Sequence, residues 1–164
     1  MIYYIDIETV KDDLSDDQED LWKRKYEEKH GDSYGLFAEF GKIVCISVGA
    51  ESKEWEYRKK AFGWDEQKPS LNEFITAISL LDNVILCWHN IKWFDIPFIV
   101  KRTIYHRLYI PSIFKVAWVK PRNIPHIDTM ELWKNGGWKN ESLEAIVLML
   151  WLPSPKEDFD WWDV

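Results

Sequence analysis

Two stretches of the chain, KIVCISVGA (42–50) and NVILCW (83–88), are almost continuously apolar. A strand that is apolar on both sides of its pleat has to be covered on both faces, so such runs belong inside a sheet flanked by helices. The segments around them fit that role. SLNEFITAISLL (70–81) sets Leu71, Phe74, Ile75, Ile78 and Leu81 on one stripe, and the spacing predicts a helix with Ser70 as its N-cap. DIPFIVKRTIYHR (95–107) predicts a second helix, with Pro97 in the first turn, where its missing N–H does no harm. IYYIDIE (2–8) alternates and is rich in β-formers, so it reads as a strand. KEWEYRKKAF (53–62) also alternates and pairs with 42–50 as a hairpin around GAESK. Residues 108–125 contain three prolines and read as a loop. IPHIDTMELW (124–133) is a short strand leading into a helical turn, and NESLEAIVLMLW (140–151) is a helix capped by Asn140 or Ser142. The order is three strands, then helix, strand, helix, strand, helix. It predicts an α/β fold with a mixed sheet and flanking helices.

The length, 164 residues, suits one domain over 1–164, with residues 11–40 as a polar insert after the first strand that holds a loop and a short helix. The sequence has no repeat and no apolar run of the ~18 residues a membrane span needs. The N-terminus is strand-like and carries acids, unlike a signal peptide. The expectation is a cytoplasmic protein, bacterial or phage-encoded, with no membrane partner. Cys45 and Cys87 each sit in an apolar run and read as free thiols of a reducing compartment. The net charge of −7 argues mildly against nonspecific nucleic-acid binding, but it is polarised. Residues 92–139 hold nine Lys or Arg and three acids, a local +6, and the acids gather in DDLSDDQED (12–20). Such a basic half suits phosphates, although ordinary solvated faces give the same pattern.

Chemistry first shows in the carboxylates. Asp6 and Glu8 are two apart on a strand, so they share a face at a spacing of roughly 7 Å. Mg²⁺ takes one or two protein carboxylates and completes its shell with water and phosphate oxygens. Asp95 follows a strand and opens a helix, where the helix dipole keeps a carboxylate ionised. Its alternative reading is a helix N-cap.

YIDIET (4–9) and HNIKWFDIPF (89–98) resemble the first and second motifs of the DEDD 3′–5′ exonucleases. HIDTMELW, NESLEAI and LPSPKEDFD resemble the branch related to the proofreading domain of B-family DNA polymerases. The likeness covers residues 1–9 and most of 84–160, and covers 10–70 poorly. It implies an RNase H-like fold and hydrolysis of phosphodiesters from a 3′ end with two divalent cations, Mg²⁺ or Mn²⁺. Asp6, Glu8 and Asp95 would be the catalytic metal ligands. Thr9 and Asn90 would contact the terminal nucleotide, and Phe94 would shape its pocket. The implied partners are single-stranded DNA or frayed 3′ ends and replication or repair proteins. RNA is the alternative substrate, since nothing in the sequence reads a 2′-OH. Lys101, Arg102 and Arg107 are candidates for further phosphates and Tyr105 for base stacking, against ordinary packing. Asp128 reads as the cap of the turn into MELW or as a contact to a metal-bound water, with the cap favoured. His89, His106 and His126 show no zinc spacing.

The family pattern breaks in two places. Its fourth acid lies on a C-terminal helix with a Tyr or His before it. Asp158, Asp160 and Asp163 stand on no recognisable helix, so the expectation is a chain truncated before that helix. The alternative is a non-catalytic nucleic-acid-binding or scaffold domain with an incomplete site. The second departure is the 11 tryptophans, several times ordinary usage. Trp88 and Trp93 flank the second motif, Trp151 stands where a helix would end in glycine, and Trp161 and Trp162 fill the tail, whereas Trp133 fits its place. Two readings stay open: a genuine aromatic stacking surface, or UGA codons from a gene whose own code reads UGA as glycine.

Overall fold

The structure is a computed structural model and describes residues 1–51, 57–63, 66–120 and 123–153. Strand β1 (Ile2–Lys11) is followed by helices α1 (Asp16–Lys25) and α2 (Glu27–His30), then strands β2 (Gly41–Glu51) and β3 (Tyr57–Gly63). Helix α3 (Gln67–Ser79), strand β4 (Ile85–Trp88) and helix α4 (Asp95–Tyr105) come next. Strand β5 (Ile127–Asp128) runs directly into α5 (Thr129–Lys134), and α6 (Leu143–Met149) follows. The sheet order is β3-β2-β1-β4-β5. The first three strands pair antiparallel, whereas β4 is parallel to β1 and β5 to β4. This is the mixed sheet with flanking helices that the element order requires.

The core explains the apolar runs. Ile5, Ile7, Ile46 and Leu86 of the sheet form one buried cluster with Leu71, Phe74, Ile75 and Ile78 of α3 and with Ile96, Phe98 and Ile99 of α4. The stripe read at Leu71, Phe74, Ile75 and Ile78 is therefore the buried face of α3, but the helix starts earlier and ends at Ser79, leaving Leu81 exposed beyond it. Glu66 occupies the N-cap position, and the Ser70 hydroxyl donates to the Glu66 carbonyl at 3.0 Å from inside the first turn. Pro69 permits this, because the first helical turn has no use for its N–H. Ser142, and not Asn140, caps α6 by accepting from the Ala145 N–H at 3.1 Å. Residues 52–56, part of the expected hairpin, lie outside the described residues.

The insert at 11–40 is more ordered than its polarity suggests. Ser15 and Gln18 form a reciprocal capping box that starts α1. Trp22 is 0% exposed and stacks on Tyr34 at 4.0 Å between ring centres, with Phe40 completing a second small core. Its indole N–H donates to the Gly31 carbonyl. Cys87 is buried and Cys45 half-buried, and both are free thiols. No helix among the described residues is long and apolar enough to cross a membrane.

Two features of the sheet position the site. β4 pairs with only Ile2–Tyr4 of β1, so β1 runs on past the end of its parallel neighbour. The register with β2 also shifts between Glu8 and Thr9, with Val44 as the extra residue, and such a bulge bends a strand locally. The carboxyl end of β1 is thus freed on one side and bent on the other. Gly63 allows this, because a Cβ there would stand 2.4 Å from the Val44 carbonyl oxygen.

Candidate active site

Asp6 and Glu8 lie on the stretch of β1 that runs past β4, where the strand is paired only with β2. Asp6 is half-buried and Glu8 exposed. Asp95 arrives from β4, whose chain turns through residues 89–94 and enters α4 with Asp95 as its first residue. Asp95 is 2% exposed. Phe94 holds the N-cap position without a side-chain cap bond, so Asp95 is not the N-cap. The charge of Asp6 is felt by both of the other carboxylates. The Glu8 carboxyl is raised by burial and then by the charge of Asp6. The Asp95 carboxyl is pushed up to about 7, first by burial and then by Asp6, with backbone amides of Asp95 and Ile7 pulling the other way. Asp6 is itself raised by burial, against hydrogen bonding from the Trp88 indole and the Ile7 amide.

This corrects the expectation for Asp95. A helix N-terminus favours an ionised carboxylate by at most a kcal/mol or two. Burial and a neighbouring carboxylate outweigh that contribution here. None of the ion pairs among the described residues involves Asp6, Glu8 or Asp95.

The turn between β4 and α4 is held by β5 and α5. Asp128, 2% exposed, caps α5 by accepting from the Met130 N–H at 3.0 Å, as its sequence context suggested. It also accepts from the backbone N–H of Asn90 at 2.9 Å and of Lys92 at 3.1 Å. Lys92 reaches Glu131 at 2.8 Å, and the Trp93 indole donates to the same carboxylate at 3.3 Å. His89 sits between the Thr129 hydroxyl at 3.1 Å and the Glu141 carbonyl at 2.8 Å. His126, buried, accepts from the Leu86 N–H, so its other nitrogen carries the proton and donates to the Ile113 carbonyl at 2.9 Å. Burial lowers its pKa. The histidines are thus struts for the strand ends, a role that sequence spacing did not reveal.

The remaining candidates separate. Thr9 donates its hydroxyl to the Gly35 carbonyl at 2.7 Å, tying β1 to the insert. Phe94 packs at the core margin, 5.6 Å from the Phe98 ring centre. Asn90 lies in the left-handed region at φ 67°, which asparagine tolerates better than most residues. The basic half supplies fewer open charges than its count suggests. Arg102 is buried against Asp12, Gln67 and the Ala38 carbonyl, and Lys101 pairs with Glu39 at 2.7 Å. Lys92 and Lys139 pair with Glu131 and Glu141. Arg107 and Tyr105 are exposed. Trp88 belongs to β4 and packs on the core, so its position does not demand glycine. Trp93 is exposed, and Trp161, Trp162 and the C-terminal acids lie outside the described residues.

A cation has to be tested against this donor set. Among the described residues, no group of three or more His, Cys, Asp or Glu side chains is arranged to hold a metal ion. Hard divalent ions do not require one. Mg²⁺ is commonly bound by one or two carboxylates plus water and substrate phosphates. A buried Asp95 beside Asp6, with no ion pair among the described residues, is a carboxyl pair whose oxygens suit such an ion.

A profile of the RNase_H superfamily matches residues 32–158, and the chain belongs to that superfamily. Among solved structures, E. coli exonuclease I in complex with a 5cy-dT13 oligonucleotide is similar at a TM-score of 0.52 and 11% identity, covering 94% of this chain and 36% of that one. The exonuclease I complex with a dT13 oligonucleotide gives 0.45 at 12% identity, over 82% of this chain and 29% of that one. The ExoI/SSB-Ct complex gives 0.45 at 11% identity, over 88% and 32%. The chain therefore spans about a third of the length of these structures, and identities this low speak for the fold alone. No curated protein matches the chain.

Proposed function

We propose that this domain carries a metal-dependent 3′–5′ exonuclease site acting on single-stranded DNA or frayed 3′ ends. The observation that carries the reading is that Asp6 lies beside Asp95 just past the carboxyl end of β4, with Glu8 next to Asp6 along β1, the charge of Asp6 raising both neighbours and no ion pair at the three among the described residues. Ligands in open α/β sheets sit at such strand ends. Membership in the RNase_H superfamily and the two DEDD-like motifs point the same way.

In this reading Asp6 and Asp95 hold the cations, with Glu8 at the open rim. The metals, when bound, supply Lewis acidity toward the phosphodiester and a water acidic enough to attack it. The chain's own groups do the placing. The Thr9 hydroxyl spends its proton on Gly35, which leaves its oxygen to accept from a terminal 3′-hydroxyl. Asn90 offers its amide from a turn fixed by Asp128. Phe94 bounds the pocket for the last base. Replication or repair proteins are the natural partners of such a domain.

The test is a 5′-labelled single-stranded oligonucleotide incubated with Mn²⁺. The expected result is a ladder of shortened products, abolished by chelator and by Asp6→Asn. Binding without any shortening favours the non-catalytic scaffold reading. A parallel RNA substrate separates the two nucleic acids.

A further inference from the structure

Asp128 does more than cap a helix. A cap satisfies one or two N–H groups of its own helix. This carboxylate is 2% exposed and spans two segments: it accepts from Met130 on α5 with Oδ1, and from Asn90 with Oδ1 and Lys92 with Oδ2 on the turn before α4. All three partners are backbone N–H groups. The Asn90 carbonyl in turn accepts from the Trp93 and Phe94 amides at 3.1 and 3.0 Å, and the Ile91 carbonyl accepts from the Ile96 amide at 3.0 Å. The grip on Asn90 and Lys92 thereby passes through one short hydrogen-bonded relay to the residue on each side of Asp95.

We propose that Asp128 is a positioning residue, which fixes the Asn90–Lys92 turn and so holds Asp95 against Asp6. The proposal rests on the exonuclease reading for its functional half. Residues that orient metal ligands are worth about 10–100-fold in metal affinity or activity. Asp128→Ser separates the two roles, because serine still caps α5 but has a single oxygen for the turn. Asp128→Asn retains the shape and turns one acceptor into a donor facing N–H groups.

The experiment has two readouts. Amide hydrogen exchange in metal-free protein reads the clasp, and Mn²⁺ binding followed by electron paramagnetic resonance without nucleic acid reads its consequence. The expected result for Asp128→Ser is fast exchange at Asn90 and Lys92, retained protection in α5, and Mn²⁺ affinity weakened about tenfold or more. Protection at Asn90 and Lys92 equal to the parent's overturns the clasp. Unchanged Mn²⁺ affinity with lost protection overturns the positioning role. A parent that neither binds Mn²⁺ nor shortens DNA overturns the exonuclease reading and the functional half with it, while the exchange result still judges the clasp.

Backbone conformation carries a second inference independently. Trp118 and Trp151 lie in the left-handed region, at φ 68° and 58°. Trp151 ends α6 in a Schellman motif: its N–H reaches the Leu148 carbonyl at 3.1 Å, and the Leu152 N–H reaches the Val147 carbonyl at 2.9 Å. Its place in that motif is usually glycine. Trp118 is the third residue of the turn closed by the Val119 N–H on the Val116 carbonyl at 3.0 Å, a place where positive φ again favours glycine. Positive φ in a bulky residue is an outlier that packing has to compensate. Here the side chains stand in solvent at 103% and 95% relative exposure. Among the described residues, the other non-glycine residues with positive φ are three asparagines and Arg107. We infer that positions 118 and 151 are glycine positions, written as tryptophan because UGA codons of the source gene have been translated in the wrong code. The expected result is UGA at codons 118 and 151, with Trp118→Gly and Trp151→Gly each raising the melting temperature by about 2–4 °C. UGG at either codon, or no rise in melting temperature for both variants, overturns it.

Discussion

Asp95→Asn is expected to stop strand shortening and, in chelator, to make the protein more stable. The two effects have one cause. Asp95 is buried beside Asp6, and its carboxyl is pushed up to about 7, first by burial and then by that neighbour. In the unfolded chain an Asp ionises near 3.9. Between those values the folded chain holds a proton that the unfolded chain has released. Folding then takes up protons, so stability falls as pH rises from about 4 to about 7. The accumulated penalty is on the order of 4 kcal/mol, present in full above pH 7. Asparagine has the shape without the charge. The variant should melt up to about 10 °C higher than the parent at pH 8 in EDTA, with a flattened pH slope between 4 and 7. Mn²⁺ supplies the missing countercharge, so it should raise the parent's melting temperature and leave the variant's almost unchanged. Removing one preorganised electrostatic group typically costs 10²–10³-fold in rate, and losing a metal ligand should cost at least about that much. Thermal melts at several pH values, with and without Mn²⁺, and the oligonucleotide assay check both halves. A parent whose stability rises from pH 4 to 7 in EDTA would contradict the buried, repelled carboxyl.

Much of the fold was legible because burial dictates composition. Two nearly continuous apolar runs became the neighbouring strands β2 and β4 on either side of β1, and the helical stripe at 71, 74, 75 and 78 became the face of α3. The insert was less legible. It reads as a polar loop with one short helix, yet Trp22, Tyr34 and Phe40 close a second core under its charges. The signal lay in the spacing of those aromatics and in the S-x-x-Q of Ser15 and Gln18. Polarity averaged over thirty residues conceals a one-sided helix.

The candidate site divides in the same way. That Asp6 and Asp95 would come together followed from their motifs, since Asp6 lies on β1 just past its pairing with the parallel strand β4, and Asp95 opens the helix that follows β4. The ionisation of Asp95 did not follow. It depends on how deeply the first turn of α4 sinks, a tertiary quantity no local rule contains. Asp128 was invisible as a clasp because its partners are backbone N–H groups, which carry no residue identity, and His89 likewise reaches the Glu141 carbonyl. Arg102 is the reverse case, a residue read as a phosphate contact that the fold spends inside.

Arg102→Met tests that reversal. The guanidinium is enclosed by Asp12 at 2.5 Å, the Gln67 side-chain oxygen at 3.0 and 2.7 Å and the Ala38 carbonyl at 3.3 Å, and it lies 4.2 Å from the Tyr105 ring centre. These groups belong to α4, the start of α3 and the insert, so one side chain ties three segments together. Methionine replaces the aliphatic stem but leaves the Asp12 carboxylate facing an apolar group. Breaking a buried pair from one side costs about 3–5 kcal/mol. The variant should lose that much in urea unfolding. Adding Asp12→Asn should recover part of the loss, since the stranded charge and not the missing contact is the larger cost. At a temperature where both proteins are folded, the variant should bind single-stranded DNA with an unchanged salt dependence. A side chain that neutralised a phosphate would lower that slope by nearly one ion. A flattened slope with little loss of stability would return Arg102 to the nucleic-acid surface, and with it the reading of α4 as a phosphate-binding helix.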